Sequence, residues 1–159
     1  MKKRIALLLF FMVVGVVWAG DYEDGEHEYF SGQYATAIQL YKAAGMLGDH
    51  RAQYMVGSMY SDGKGVVQDD AEAARWMKLA AAQGYGVAQN HLAAMYKYKK
   101  GVERDFLRAH MWFNLSSASG YAKAERNREA IEGLMTPLHI AEAQKMARDC
   151  QARNFKNCD

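Results

Sequence analysis

A repeat of 36 residues constrains the fold of this chain more than any other feature. Residues 52–85 (AQYMVGSMYSDGKGVVQDDAEAARWMKLAAAQGY) align without a gap to residues 88–121 (AQNHLAAMYKYKKGVERDFLRAHMWFNLSSASGY). A fixed period of this length indicates a solenoid, because each unit must stack on its neighbour to bury its apolar face. The repeated positions that set the structural register are Ala52/Ala88, Tyr60/Tyr96, Gly65/Gly101, Trp76/Trp112 and Gly84/Gly120.

Each unit contains two apolar stripes at helical spacing. One runs through Ala52, Val56 and Tyr60, and the other includes Ala73 and Trp76. Each unit is therefore predicted to be a helix hairpin. Asp69 is the predicted N-cap of its second helix, and Glu72, three residues later, is predicted to complete a capping box. Gly84 and Gly120 fall where a helix can end through positive φ.

The register extends beyond the two units. Ala37 and Gly48 correspond to Ala73 and Gly84, which predicts a leading hairpin with its turn near Ser31-Gly32. Thr136 and Pro137 predict the start of a last helix. The predicted fold is an all-α solenoid of antiparallel helix hairpins. Its segments are a signal peptide at 1–19, an incomplete leading hairpin at 20–48, repeats at 49–84 and 85–120, and capping helices with a tail at 121–159.

The first residues, MKKRIALLLFFMVVGVVWAG, combine a basic start with a short apolar run. This layout is typical of a secretory signal peptide cut before Gly20, although an uncleaved anchor is the alternative. The leader holds three of the 20 basic residues and none of the 18 acidic ones, which leaves 17 against 18. A near-neutral mature chain argues against nucleic acid as a partner. We expect a periplasmic or secreted monomer without stable membrane insertion.

Both cysteines, Cys150 and Cys158, lie in the last ten residues. In an exported protein such a pair predicts a disulfide that pins the C-terminal tail, with two free thiols as the alternative. Two ligands alone make a poor zinc site, so no metal site is predicted here.

The aligned units carry the pattern A-x-x-x-[VL]-[GA]-x-x-Y-x-x-x-x-G-V-x-x-D-x-x-x-A-x-x-W-x-x-x-[AS]-[AS]-x-x-G at 52–84 and 88–120. This pattern resembles the Sel-one-like repeat, a relative of the tetratricopeptide repeat, and MTPLHIAEAQKMAR at 135–148 resembles the end helix of many bacterial members. The resemblance implies a right-handed α-solenoid that acts as an adaptor or scaffold without a cofactor. Lys99 departs from the pattern, since it stands where the first unit has Gly63. If that position needs positive φ, the turn is either strained or remodelled.

Two short motifs raise the possibility of enzyme chemistry. Gly63-Lys64-Gly65 lacks the spacing and the strand-to-helix context of a phosphate-binding loop, which favours a turn. Ser61 and Lys64 have the spacing found in penicillin-recognising serine enzymes, but Ser61 lies at the predicted end of a helix and the partner motifs are missing from the sequence. The predicted protein is therefore not an enzyme. An envelope hydrolase, or a binder of cell-wall fragments or β-lactams, is the alternative.

The histidines and the basic segment give weaker signals. The five histidines form no metal-binding pair in sequence, although His91 and His110 are candidates to face each other across one hairpin. KYKKGVER at 97–104 is either a solvated loop or a contact for an anionic glycan, a lipid headgroup or an acidic protein.

The function predicted first is protein or peptide binding. In the related tetratricopeptide fold the first helix of each pair lines the concave face, which implies a contact surface opposite the packed stripe. A purely structural role is a further alternative. The candidate contact residues are Arg51, Tyr54, Ser58 and Asp62 in the first repeat and Asn90, Lys97 and Tyr98 in the second.

Overall fold

The computed structural model describes residues 21–158, which contain only helices as regular secondary structure. The leader, with its predicted signal peptide, lies outside these residues. Within them the structure has no helix that is both long and apolar enough to cross a membrane. The helices are α1 (Asp21–Phe30), α2 (Tyr34–Met46), α3 (His50–Asp62), α4 (Asp70–Ala81), α5 (Gly86–Tyr98), α6 (Phe106–Ala118), α7 (Ala122–Glu132) and α8 (Pro137–Ala152).

Consecutive helices pack as hairpins. The pairs are α1 with α2, α3 with α4, and α5 with α6, and the hairpins stack through the contacts of α2 with α3 and of α4 with α5. Both repeated tryptophans lie in the core, with Trp76 5% and Trp112 2% exposed. Ala52 and Ala88 are fully buried, as the periodicity predicts. The predicted all-α solenoid of helix hairpins is confirmed.

The repeated tyrosines are less alike than their shared register predicts. Tyr96 is buried in the core at 6% exposed, whereas Tyr60 is only partly buried. A lysine of the preceding second helix lies over each ring, Lys42 at 4.9 Å from the centre of Tyr60 and Lys78 at 5.6 Å from that of Tyr96. The guanidinium of Arg108 also lies 6.0 Å from the Tyr96 ring and helps to cover it. Tyr96 is therefore a packing residue that a partner could not reach.

The N-caps of α4 and α6, the second helices of the two full repeats, follow the register, whereas Gln33 at the start of α2 makes no side-chain cap. The Asp69 carboxylate accepts hydrogen bonds from the amides of Ala71 and Glu72, and Asp105 accepts from the amide of Arg108. The predicted capping box is wrong in one respect. The Asp69 amide donates to the carbonyl of Tyr60 at 3.0 Å, while the Glu72 carboxylate pairs with Arg75 at 2.9 Å. The preceding helix thus supplies the acceptor that Glu72 was expected to provide.

Gly65 and Gly101 are required because each brings a loop onto the start of the preceding second helix. A Cβ atom at Gly65 would lie 2.8 Å from the amide nitrogen of Ala35, and one at Gly101 would lie 2.8 Å from that of Ala71. Side chains at these positions would push the hairpins apart. The same close approach therefore occurs at both junctions.

Lys99 keeps the geometry of the glycine it replaces. Its φ is 57°, against 67° at Gly63, and both residues end a first helix in the left-handed conformation. The turn of the second repeat is thus strained at Lys99 and is not remodelled.

The C-terminal helices depart from the hairpin pattern. Both α7 and α8 pack on α6, so that α8 covers the last full hairpin directly. The α8 helix begins at Pro137, and the Thr136 hydroxyl accepts from the amide of His139 at 3.2 Å, as predicted. Cys150 and Cys158 form the expected disulfide, which pins the tail that follows α8.

Candidate functional site

The first helices of neighbouring hairpins contact each other along one side of the solenoid. We call this surface the first-helix face and define it by the contacts that cross it. They join Arg51 to the ring of Tyr22 (4.0 Å), His50 to Tyr85 (4.8 Å), Tyr54 to His91 (5.2 Å) and Asn127 to Asn90 (2.8 Å).

Arg51 lies at the N-terminal end of this face and is exposed. Its guanidinium pairs with the Asp49 carboxylate at 2.7 Å and with Glu23 at 3.4 Å. Burial acts to raise the pKa of Asp49, but the hydrogen bonds from Arg51 and the amides of Ala52 and Arg51 outweigh it and hold that pKa below its usual range. The predicted contact residue Arg51 is therefore oriented by two carboxylates.

Tyr54 lies at the centre of a cluster of rings. Its ring contacts those of Tyr85 at 5.8 Å and His91 at 5.2 Å, and His50 completes the cluster by its contact with Tyr85. All four residues are partly exposed. Burial raises the pKa of Tyr54 and lowers that of His91. The rings therefore join the first and second repeats across a surface that solvent still reaches.

Sequence reasoning placed only Tyr54 of these four rings on the contact surface and considered His91 only as a neighbour of His110. The Tyr85/Tyr121 match in the repeat register was the one available signal, since both residues immediately precede a first helix. His50 and His91 occupy different positions in their helices, so no periodic pattern links them.

The other candidates in the predicted surface are more dispersed. Ser58 is partly buried, and Asp62 is exposed at the end of α3, 3.8 Å from the Lys64 ammonium. Lys97 lies over the ring of Tyr98 at 5.1 Å, and Tyr98 is 60% exposed. The Asp62 carboxylate acts electrostatically on Tyr54 and His91, whereas Lys97 and Tyr98 contact each other beyond this cluster.

Asn90 is less accessible than expected. It is only 8% exposed, and its side-chain oxygen accepts from the Asn127 amide at 2.8 Å. The reason is that α7 stacks beside α5 and covers this end of the face. Asn90 therefore joins two first helices, and a partner would reach Asn127 and its surroundings more easily.

Lys64, in the glycine turn, ties the first repeat to the leading hairpin. Its ammonium donates to the Tyr29 hydroxyl at 2.7 Å and lies 5.7 Å from the centre of the Tyr34 ring. The hydrogen bond to Tyr29 is the main reason that the pKa of Lys64 is raised. These contacts direct the ammonium toward the leading hairpin and Asp62, whereas a penicillin-recognising site would need it beside the serine of the motif.

The two histidines of the second repeat have separate surroundings. His110 is fully buried, and its Nε2 lies 2.8 Å from the Glu132 carboxylate, whereas His91 packs against Tyr54. The expectation that they face each other is not met by these contacts. Residues 21–158 contain no group of three or more His, Cys, Asp or Glu side chains suited to a metal ion.

Comparison with known families agrees with the repeating geometry. The Sel1 repeat model matches residues 19–49, 50–85 and 86–121. The chain belongs to the Sel1 repeat family. The first match covers the leading hairpin of α1 and α2. Sel1 repeat proteins generally mediate protein–protein interactions and generally act as non-catalytic scaffolds.

Two solved Sel1 structures resemble this one. A protective antigen of uropathogenic Escherichia coli with this fold superposes with a TM-score of 0.83 at 26% identity, over 92% of this chain and 32% of that one. A Sel1 repeat protein from Oxalobacter formigenes superposes with a TM-score of 0.67 at 26% identity, over 70% and 47%. This chain thus spans about a third and about half of their lengths. No curated protein matches it.

Proposed function

We propose that this chain is a non-catalytic interaction scaffold that binds an extended peptide or protein segment along its first-helix face. We take this face to be the concave one, as in related helical solenoids. The proposal extends the general role of Sel1 repeat proteins to a particular surface of this chain.

The ring cluster around Tyr54 is the observation that carries the proposal. Partly exposed aromatic side chains supply a large contact area at a low cost in conformational entropy, and they are enriched where proteins bind one another. Here the rings hold one another in place across two hairpins. Such a surface loses little freedom on binding, which favours affinity.

The charged residues beside the ring cluster suggest which side chains the partner carries. Arg51 is already neutralised by Asp49 and Glu23, so a partner carboxylate would have to displace one of them. Lys123 and Arg126, on α7, line an open cavity of about 360 Å³ with Ala122 and Asn127. We propose that the bound segment of the partner places apolar or aromatic side chains against the ring cluster. Its acidic side chains would lie toward Lys123 and Arg126 on α7.

We also propose that the protein works outside the cytoplasm. The leader at 1–19 has the composition of a signal peptide, and the Cys150–Cys158 disulfide suits an oxidising compartment. The bacterial cell envelope is the compartment that fits both features.

Site-specific photo-crosslinking tests the proposed surface. A photoreactive amino acid at position 54 should capture a specific protein from an envelope extract. The same group at position 79, where Leu79 is 43% exposed on a second helix, is the matched control. Capture from position 54 and not from 79 supports the proposal. Capture of the same protein from position 79 alone would place binding on the opposite face.

A further inference from the structure

The C-terminal tail runs back across a whole repeat. After α8 ends, the ring of Phe155 packs against Gly84, which follows the end of α4. A Cβ atom at Gly84 would lie 2.9 Å from Cε2 of that ring. The last residues of the chain thus contact the first full repeat, although they follow helices that pack on α6.

This contact is specific to one of three equivalent positions. Gly48, Gly84 and Gly120 end successive second helices with φ of 100°, 80° and 84°. A Cβ atom at Gly48 or Gly120 would meet nothing within 4 Å. A glycine therefore occupies this position in all three hairpins, and the tail contacts only the middle one, Gly84.

Phe155 is held in a backbone conformation that it would not adopt freely. Asn154, Phe155 and Asn157 have φ of 51°, 62° and 53°, in the left-handed region, which asparagine adopts comparatively readily and phenylalanine does not. A phenylalanine persists there only where its surroundings impose this conformation. Two features constrain the tail backbone. The Cys150–Cys158 disulfide closes the loop, and the Phe155 ring packs against the core in the middle of that loop.

A surface pocket of about 300 Å³ lies between the tail and the second helices α4 and α6. The helices line it with Lys78, Leu79, Ala82 and Trp112, and the tail lines it with Phe155, Asn157 and Cys158. Departure of the tail would remove one wall of this pocket and widen it into a groove at the junction of the two repeats.

We propose that the disulfide is a reducible latch, and that its reduction releases the tail from Gly84 and widens this pocket into a groove. Cys158 is partly exposed whereas Cys150 is buried, so an external dithiol reaches the sulfur of Cys158 first. Its thiolate forms a mixed disulfide with Cys158 and expels Cys150 as a thiolate, which takes up a proton. The second thiol of the reductant then attacks the mixed disulfide, leaving two protein thiols and an oxidised reductant. Without the covalent closure, Phe155 relaxes from the left-handed conformation and loses its contact with Gly84.

Hydrogen exchange of the purified protein, with and without dithiothreitol, tests the latch. Reduction should accelerate exchange of the tail amides by at least about tenfold, including the Phe155 amide that donates to Cys150 at 3.0 Å. Peptides covering 78–86 should also exchange faster, while those of α3 keep their rates. Unchanged tail exchange would overturn the proposal. Simultaneous loss of protection in α3 would overturn it too, because the disulfide would then stabilise the whole domain and not the tail alone.

A pair of glycine variants checks the role of the ring. Gly84→Ala and Gly120→Ala impose similar backbone strain, but only the first meets Phe155. The oxidised Gly84→Ala protein should therefore lose its disulfide to dithiothreitol faster than Gly120→Ala. Equal rates of reduction would show that Phe155 does not hold the tail closed.

Discussion

The side-chain amide of Gln53 donates to the carbonyl oxygen of Gly45 at 2.9 Å, and the same bond recurs one repeat later between Gln89 and Ala81 at 3.2 Å. Both glutamines are buried. Each fastens the start of a first helix to the end of the preceding second helix. The stacking of the repeats thus rests on a buried polar bond as well as on apolar contacts.

Replacing Gln53 by methionine should destabilise the protein by about 1 kcal/mol, because the Gly45 carbonyl loses the Gln53 amide and keeps only the backbone amide of Gly48 at 3.1 Å. Urea unfolding measures the change. Gln83→Met is the matched control, since Gln83 is exposed and loses only its bond to Gln53 at 2.8 Å. An equal loss in both variants would mean that the bond to Gly45 adds nothing.

Gly101, in the turn of the second repeat, should tolerate alanine far less well than Gly120, which follows α6. Gly101→Ala places a methyl group against the backbone of Asp70 and Ala71, whereas Gly120→Ala meets open space. Both have positive φ, which costs alanine about 1–2 kcal/mol. Gly101→Ala should therefore lower the melting temperature well beyond Gly120→Ala. Similar melting temperatures would show that the hairpins separate without cost.

Sequence periodicity predicted this architecture because its signals are local and repeated. Trp76 and Trp112 indicate core positions, Asp69 indicates the start of a helix, and Gly84 indicates the end of one. The missed features depend on contacts between distant segments. Asn90 is buried because α7 lies beside α5. Phe155 contacts Gly84 because the C-terminal tail reaches the end of the preceding repeat. The Asn90–Asn127 pair does repeat the Tyr54–His91 contact 36 residues on, but Asn127 lies beyond the two aligned units. The contact of Phe155 with Gly84 recurs at neither Gly48 nor Gly120, so the repeat could not indicate it.

Lys99→Gly should stabilise the protein by about 1 kcal/mol, because glycine adopts positive φ without a steric cost. The exposed ion pair of Lys99 with Glu103 at 3.0 Å offsets little of this gain. Lys100→Gly, at the adjacent position, should give no such increase. Chemical denaturation measures the stability of both variants. If Lys99→Gly is no more stable than the original protein, the backbone at Lys99 is not strained.

Stability should fall in mild acid partly through His91. Burial lowers the pKa of His91, the Lys123 ammonium also lowers it, and the Asp62 carboxylate opposes both. The unfolded chain, in which a histidine titrates near about 6.5, then binds the proton more readily. The stabilisation by neutral His91 is complete above that pH and is lost as the pH falls through the folded-state pKa.

His91→Phe keeps a ring against Tyr54 but removes the titration. The free energy of unfolding should therefore decline less in this variant than in the original protein as the pH falls below about 6.5. Coinciding slopes in the two pH series would show that His91 binds its proton equally well in both states.

The binding surface is the central claim, and titration of the captured partner against variants of the two candidate regions tests it most directly. Tyr54→Ala should weaken binding by roughly tenfold, because it removes the central ring of the cluster. Lys64→Ala, in the turn that contacts the leading hairpin, should leave the affinity unchanged to within about twofold. Circular dichroism at the titration temperature confirms that both variants are folded. Loss of affinity in Lys64→Ala with full affinity in Tyr54→Ala would contradict the account and place function in the glycine turn.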